Sequence, residues 1–131
     1  MRSRFAAFAA GLGDYLVDTL TAAHGDRAAP REALVRALSR ARETQRFVNL
    51  CIMHASAAES GRNGEVLFYA RVFERGADRS FAELSQFVLE ATTRGPAWHY
   101  ASGELVPASA LPPQPESLTR DEFIQLLRHT A

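Results

Sequence analysis

The sequence contains no lysine; all 15 of its basic residues are arginine. Without an ε-amine no Schiff base can form on this chain, so lysine-dependent covalent chemistry is excluded. A GC-rich bacterial genome accounts for the arginine bias. Cysteine is almost as scarce. The single Cys51 excludes an internal disulfide and a cysteine-rich zinc site. It fits a reducing, cytoplasmic setting, and within its apolar run it is expected to behave as a small hydrophobe. Net charge is absent too, since 15 acids balance the 15 arginines. That balance argues against broad attraction to nucleic acid or to an anionic membrane. No apolar run approaches the roughly 20 residues needed to span a bilayer. The first ten residues hold a short apolar stretch like that of a signal peptide, but Gly11, Gly13 and Asp14 interrupt it, and it reads as a helix. There is no glycine-rich phosphate loop, no Gly-x-Ser-x-Gly elbow, and no sign of a cofactor.

What is present suits one globular unit. The chain has 131 residues, 47% of them hydrophobic, enough to bury about two-thirds of the surface exposed by the unfolded chain. Helical spacing dominates the first 44 residues. Residues 2–22 read as a helix broken near Gly11-Leu12-Gly13. Phe5, Phe8 and Leu12 form one apolar stripe, and Leu16, Val17 and Leu20 a second; Asp14 is placed to open the second helix. After a loop containing Gly25 and Pro30, a third helix is expected over residues 31–44. Its buried stripe is Leu34, Ala37, Leu38 and Ala41, with Arg31, Arg36, Arg40, Arg42 and Arg46 on a solvated side.

The period then changes to two. Strands are expected over residues 47–55, 65–75, 80–91 and 97–105, separated by turns at Gly61-Arg62-Asn63-Gly64, Gly76-Ala77-Asp78 and Gly95-Pro96. Four strands joined by short turns make an antiparallel meander. The fold class is therefore α+β, with N-terminal helices packed on a curved four-stranded sheet. Residues 106–118 contain Pro107, Pro112, Pro113 and Pro115 and read as an extended linker. Residues 119–129 read as a short C-terminal helix, capped by Thr119 with Glu122 as its capping-box partner. Phe123, Ile124, Leu126 and Leu127 should dock it on the domain or on a partner.

Alternation along the strands assigns the faces. Val66, Phe68, Ala70, Glu83, Ser85, Phe87, Trp98 and Tyr100 fall on the concave, helix-covered face. Leu67, Tyr69, Phe73, Leu84 and Val88 fall on the other, which is too apolar to be left bare; the C-terminal helix or a second copy of the chain is expected to cover it. Glu83 is the most informative residue, a carboxylate among apolar neighbours that needs a pairing or hydrogen-bonding partner. The structural reading is a salt bridge to Arg2 or Arg4 of the first helix. The functional reading places it in a ligand site with Phe68, Ser85, Trp98 and Tyr100, or as a general base beside Tyr100. His54 and His99 would need to meet in space, with a third ligand, to hold a metal; no such pattern is visible and no metal is expected.

Several segments together resemble the YchJ family of bacterial proteins. They are Met1-Arg2-Ser3-Arg4-Phe5 with Ala7-Phe8, Asp14-Tyr15-Leu16, Gly64-Glu65-Val66 with Phe68 and Ala70-Arg71, Glu83 with Ser85 and Phe87, and Trp98 with Tyr100 and Gly103. They occur in the family's order over about residues 1–104. The resemblance implies the family's middle domain, a cone of the nuclear-transport-factor-two-like type. It also implies a cysteine-rich zinc motif like the SecA C-terminal site ahead of Met1. This sequence starts at that segment, so Met1 is expected to be an internal methionine of a longer protein or the start of a truncated form, and zinc binding does not carry over. The family's His-Glu-Arg-Ser-Arg-Phe strand reads Ala82-Glu83-Leu84-Ser85-Gln86-Phe87 here, so its basic residues, and any anionic partner they contact, do not carry over either.

Three functions are consistent with this reading. One is a non-enzymatic accessory or ligand-binding module, with a small molecule in the cone and a homodimer through the outer sheet face. The second is a small isomerase, dehydratase or hydrolase using Glu83 and Tyr100. The third is a protein-interaction subunit acting through the terminal helix. An open cavity reaching Glu83 favours the second, a filled core the first, and an undocked terminal helix the third.

Overall fold

The computed structural model describes residues 1–130. Helix α1 (Arg2–Ala10) stops at Gly11, whose φ of 70° is one that a residue with a Cβ adopts only at a cost. The chain re-enters helix at α2 (Gly13–Asp18), and Leu16, Val17 and Leu20 are buried as their spacing predicts. The first stripe is different. Leu12 is exposed, whereas Arg4 and Ala7 are buried and Phe5 and Phe8 half-buried. The expected third helix is two: α3 (Arg31–Ser39) and α4 (Ala41–Thr44), parted at Arg40. Val35 lies on the half-buried side of α3, and Ala37 is exposed.

Among the described residues the sheet has five strands. They are β1 (Gln45–Ala57), β2 (Asn63–Glu74), β3 (Ala77–Asp78), β4 (Phe81–Thr92) and β5 (Gly95–Pro107). The order is β1-β2-β4-β5, antiparallel throughout, with the two-residue β3 folded onto the end of β2. The strands overrun the expected turns. Asn63 and Gly64 already belong to β2, and the β2–β3 turn falls on Arg75 and Gly76, both with positive φ, as a two-residue hairpin requires. Register shifts interrupt β1 between Phe47 and Asn49 and between Ile52 and His54, and a third lies opposite Gln86 and Phe87 where β5 passes Ala101. Each extra residue bends its strand, and long strands bent in this way curl around one side.

The helices lie on that side. Phe68, Ala70 and Val72 of β2 pack with Met1, Phe5, Phe47, Leu50 and Ile52. The roof is also tied on by backbone. Thr21 N–H donates to the Tyr100 carbonyl at 2.9 Å, and Tyr100 N–H donates to the Thr19 carbonyl at 2.6 Å. On the opposite face Leu67, Tyr69, Ala82, Leu84 and Val106 form a second cluster with Leu118 and Phe123. Residues 106–118, expected as an extended linker, instead hold two 3-10 turns and bury Pro115 and Leu118. Helix α5 (Arg120–Thr130) follows. Its capping box forms: Glu122 N–H donates to Thr119 Oγ1 at 3.2 Å, and Thr119 N–H donates to Glu122 Oε1 at 3.0 Å. Burying Phe123 completely contributes on the order of 1.5–3 kcal/mol.

Candidate functional site

The inner face of β4 presents Phe81, Glu83, Ser85 and Phe87 in alternation, and their partners across β5 are Pro107, Leu105, Gly103 and Tyr100. Regular alternation would place Tyr100 and Gly103 on opposite faces. The extra residue at Ala101 restores them to one face, and this brings the Tyr100 ring over Glu83. Glu83 is 9% exposed. Its Oε2 accepts the Ser85 hydroxyl in a short hydrogen bond and the Tyr100 hydroxyl at 3.0 Å. Its Oε1 accepts nothing from the described residues. Gly103 is what makes the contact possible, because a Cβ there would overlap Glu83 Oε2 and the Tyr100 hydroxyl.

Tyr100 is held on several sides. Phe87 meets its ring edge-on, with centroids 5.7 Å apart, and the Arg4 guanidinium carbon lies 4.9 Å from its centroid. Burial, reinforced by the negative charge of Glu83, raises the Tyr100 hydroxyl above its ordinary value. Tyr100 therefore stays a phenol and acts as a donor.

Arg4 is the second buried charge, at 6% exposed. Its Nη1 donates to the Leu16 carbonyl at 2.9 Å and, in a short bond, to Thr19 Oγ1. Its Nε has no partner among the described residues. The expected salt bridge is not formed: among the described residues no ion pair joins Glu83 to Arg2 or Arg4. Arg2 is exposed, and Arg4 stacks on Tyr100, which takes the hydrogen bond to Glu83 in its place. Burial lowers the Arg4 guanidinium from its usual value, and the nearby Tyr100, Tyr15 and Glu83 oppose that shift.

Two cavities flank this cluster. The larger, about 610 Å³, lies between the roof and the sheet, with Glu83 and Tyr100 on its wall and Phe5, Phe47, Phe68 and Phe81 among its apolar lining. The smaller, about 500 Å³, is lined by Tyr15, Thr19, Val66, Phe87 and Trp98. Arg4 borders both. The structure thus brings Glu83, Ser85, Tyr100 and Phe68 together and separates Trp98 from them. Trp98 pairs with Leu89 toward the far end of β4 and is 44% exposed. Apolar periodicity gave no signal for the burial of Arg4, which the sequence offered only as a salt-bridge partner of Glu83. A lone glycine inside a strand was the signal available for Gly103.

His54 and His99 do not meet. They lie on β1 and β5, the two edges of the sheet, with β2 and β4 between them. His54 Nε2 contacts Ser56 Oγ at 3.2 Å, and His99 Nδ1 contacts the Ala97 carbonyl at 2.8 Å. Among the described residues no group of three His, Cys, Asp or Glu is placed to hold a metal ion. Cys51 is a free thiol packed against the outer cluster. No helix among the described residues is long and apolar enough to cross a membrane.

Residues 1–103 match the family model of the YchJ middle NTF2-like domain. The chain belongs to this family. A solved relative, a SEC-C motif containing protein from Rhodopseudomonas palustris, is 34% identical with a TM-score of 0.62, over 81% of this chain and 75% of that one. A second, a SEC-C motif containing protein from Psychrobacter arcticus, is 22% identical with a TM-score of 0.61, over 89% of this chain and 66% of that one; it shares the fold. The helix-roofed antiparallel sheet is thus the NTF2-like α+β architecture. No curated protein matches the chain.

Proposed function

We propose that this YchJ-type domain is a small-molecule-binding module whose ligand occupies the larger cavity and is anchored on Glu83. The observation that carries the reading is a carboxylate at the wall of a cavity of about 610 Å³, beside the rings of Phe5, Phe47, Phe68 and Phe81. One of its oxygens is saturated by Ser85 and Tyr100 and the other is unengaged. Such sites pair apolar walls with a few placed polar groups. The complementary ligand is a compact apolar molecule carrying an amine or hydroxyl donor. A second reading rests on the same contact: an unengaged carboxylate oxygen beside a phenol donor is a base and acid pair of the kind used in isomerases and dehydratases. The terminal helix lies on the sheet and not free in solution, which favours either reading over an interaction subunit. That cover over the outer face also supports a monomeric module in place of a homodimer through that face.

The test is a titration followed by amide chemical shifts, using cyclohexylamine as the donor probe and methylcyclohexane as its apolar counterpart. The amine is expected to shift Phe68, Glu83 and Tyr100 and to bind about tenfold more weakly to Glu83→Gln, the size of one charge-assisted hydrogen bond. Equal binding by the Gln variant, or shifts that map elsewhere, would remove the reading.

A further inference from the structure

The smaller cavity has a different character. Arg4 and Glu65 are the charged side chains on its wall. Glu65 is already engaged by Arg120 Nε, which lies 2.9 Å from both of its oxygens. Arg4 is therefore the charged side chain left to act, with the Met1 amino group beside it, and it is only partly satisfied. Nη1 is spent on Leu16 and Thr19, while Nε is buried without an acceptor. A buried donor of a charged group left unpaired is costly, and an acceptor brought into the adjoining cavity would relieve that cost once the guanidinium turns toward it. Beside it, the Ser3 hydroxyl accepts from Tyr15 at 2.7 Å and keeps its own proton to donate.

The other wall is aromatic. Trp98 is 44% exposed although it sits on the inner face, and Phe87 lies next to it in the lining. Gly64 pairs with Phe87 across the sheet, and a Cβ built on it would come 3.4 Å from the Trp98 ring. The glycine thus lets the indole lie close to the sheet backbone at the cavity wall. A flat apolar surface and a cationic donor face the same space of about 500 Å³, which is within the usual range for a small ligand.

We propose that this cavity is a second binding site, specific for a small aromatic carboxylate whose ring lies along Trp98 and Phe87 and whose acid group is taken by Arg4 with Ser3. It is distinct from the Glu83 cavity and selects the opposite charge. A planar acid matches the guanidinium fork, and aromatic stacking on tryptophan supplies the remaining contact.

Trp98 is the sole tryptophan, so its emission reports on this cavity directly. Phenylacetate is the probe and phenylacetamide its neutral isostere. Phenylacetate is expected to change the emission saturably and to bind about tenfold more tightly than the amide, a difference of ~1.4 kcal/mol. Arg4→Gln should erase that preference. Because Arg4 is also packed, the Nε–H resonance of Arg4 in the wild-type protein gives a second readout, expected to move with the acid and not with the amide. Acid and amide binding alike, an unmoved Arg4 Nε–H signal, or the absence of a saturable response in the millimolar range would each overturn the proposal.

Discussion

At the scale of single residues, Tyr100 joins more of the molecule than any neighbour. Its backbone holds the end of the roof, its ring carries Arg4, and its hydroxyl reaches Glu83. Its titration carries a pH dependence whose sign can be worked out. An unfolded tyrosine ionises near 10, and Tyr100 in the fold ionises higher. Below pH 10 both states keep the proton and the stability it supports is fully present. As pH rises from there through the native value, the unfolded state has lost a proton that the native state retains, and stability falls. Alkaline denaturation followed by circular dichroism should therefore steepen above about pH 10. Tyr100→Phe should give a shallower decline, with one slow component lost from the phenolate absorbance titration. An identical alkaline decline in the variant would show that Tyr100 is not the group responsible. Glu83 and Tyr100 were legible in the sequence as residues of one face. Their pairing was one of two readings open there; that it would stand in place of the Arg4 salt bridge was not decided, because pairing by charge alone ignores the ring that stands between the two ions.

At the scale of elements, alternation in β2 and β4 identified both faces of the sheet correctly, because each face is buried and a slip by one residue would turn every side chain over. Beyond Tyr100 the same rule continued through β5 would have put Gly103 outside, since a bulge at Ala101 leaves no mark in the pattern of apolar residues. The break at Arg40 was hidden for a related reason. Arg40, Ala41 and Arg42 are all compatible with helix, and just past the division Arg42 Nη1 donates to the Ala10 carbonyl at 2.8 Å, a long-range contact that no local pattern encodes. The proline-rich segment read as a linker because proline stops regular structure; that it packs depends on Pro115 and Leu118 meeting the sheet, which no local pattern encodes. The contact of α5 with the outer face leads to a direct expectation. Phe123→Ala should cost about 3–5 kcal/mol, measured by urea denaturation. A loss under 1 kcal/mol would mean that the helix is not seated as described.

At the scale of the whole molecule, the sheet is a wall shared by two separate cores. The inner core leaves cavities large enough for ligands, and the outer one is closed by the chain itself. With Leu67, Tyr69, Ala82 and Leu84 all buried under that cover, a subunit has little apolar surface there to offer another. Size exclusion with light scattering should accordingly give the mass of one chain, 14.4 kDa. A stable dimer that survives dilution would show that the sheet pairs in spite of its cover.

The placement of Phe123 and Leu118 has a consequence for biosynthesis. Chains emerge from the ribosome in sequence order, so all the strands are outside the exit tunnel before the residues that shield Leu67 and Leu84. For that interval one side of a nearly finished sheet is bare and sticky. A released chain truncated before residue 118 would keep that side bare and would be the natural target of a holding chaperone.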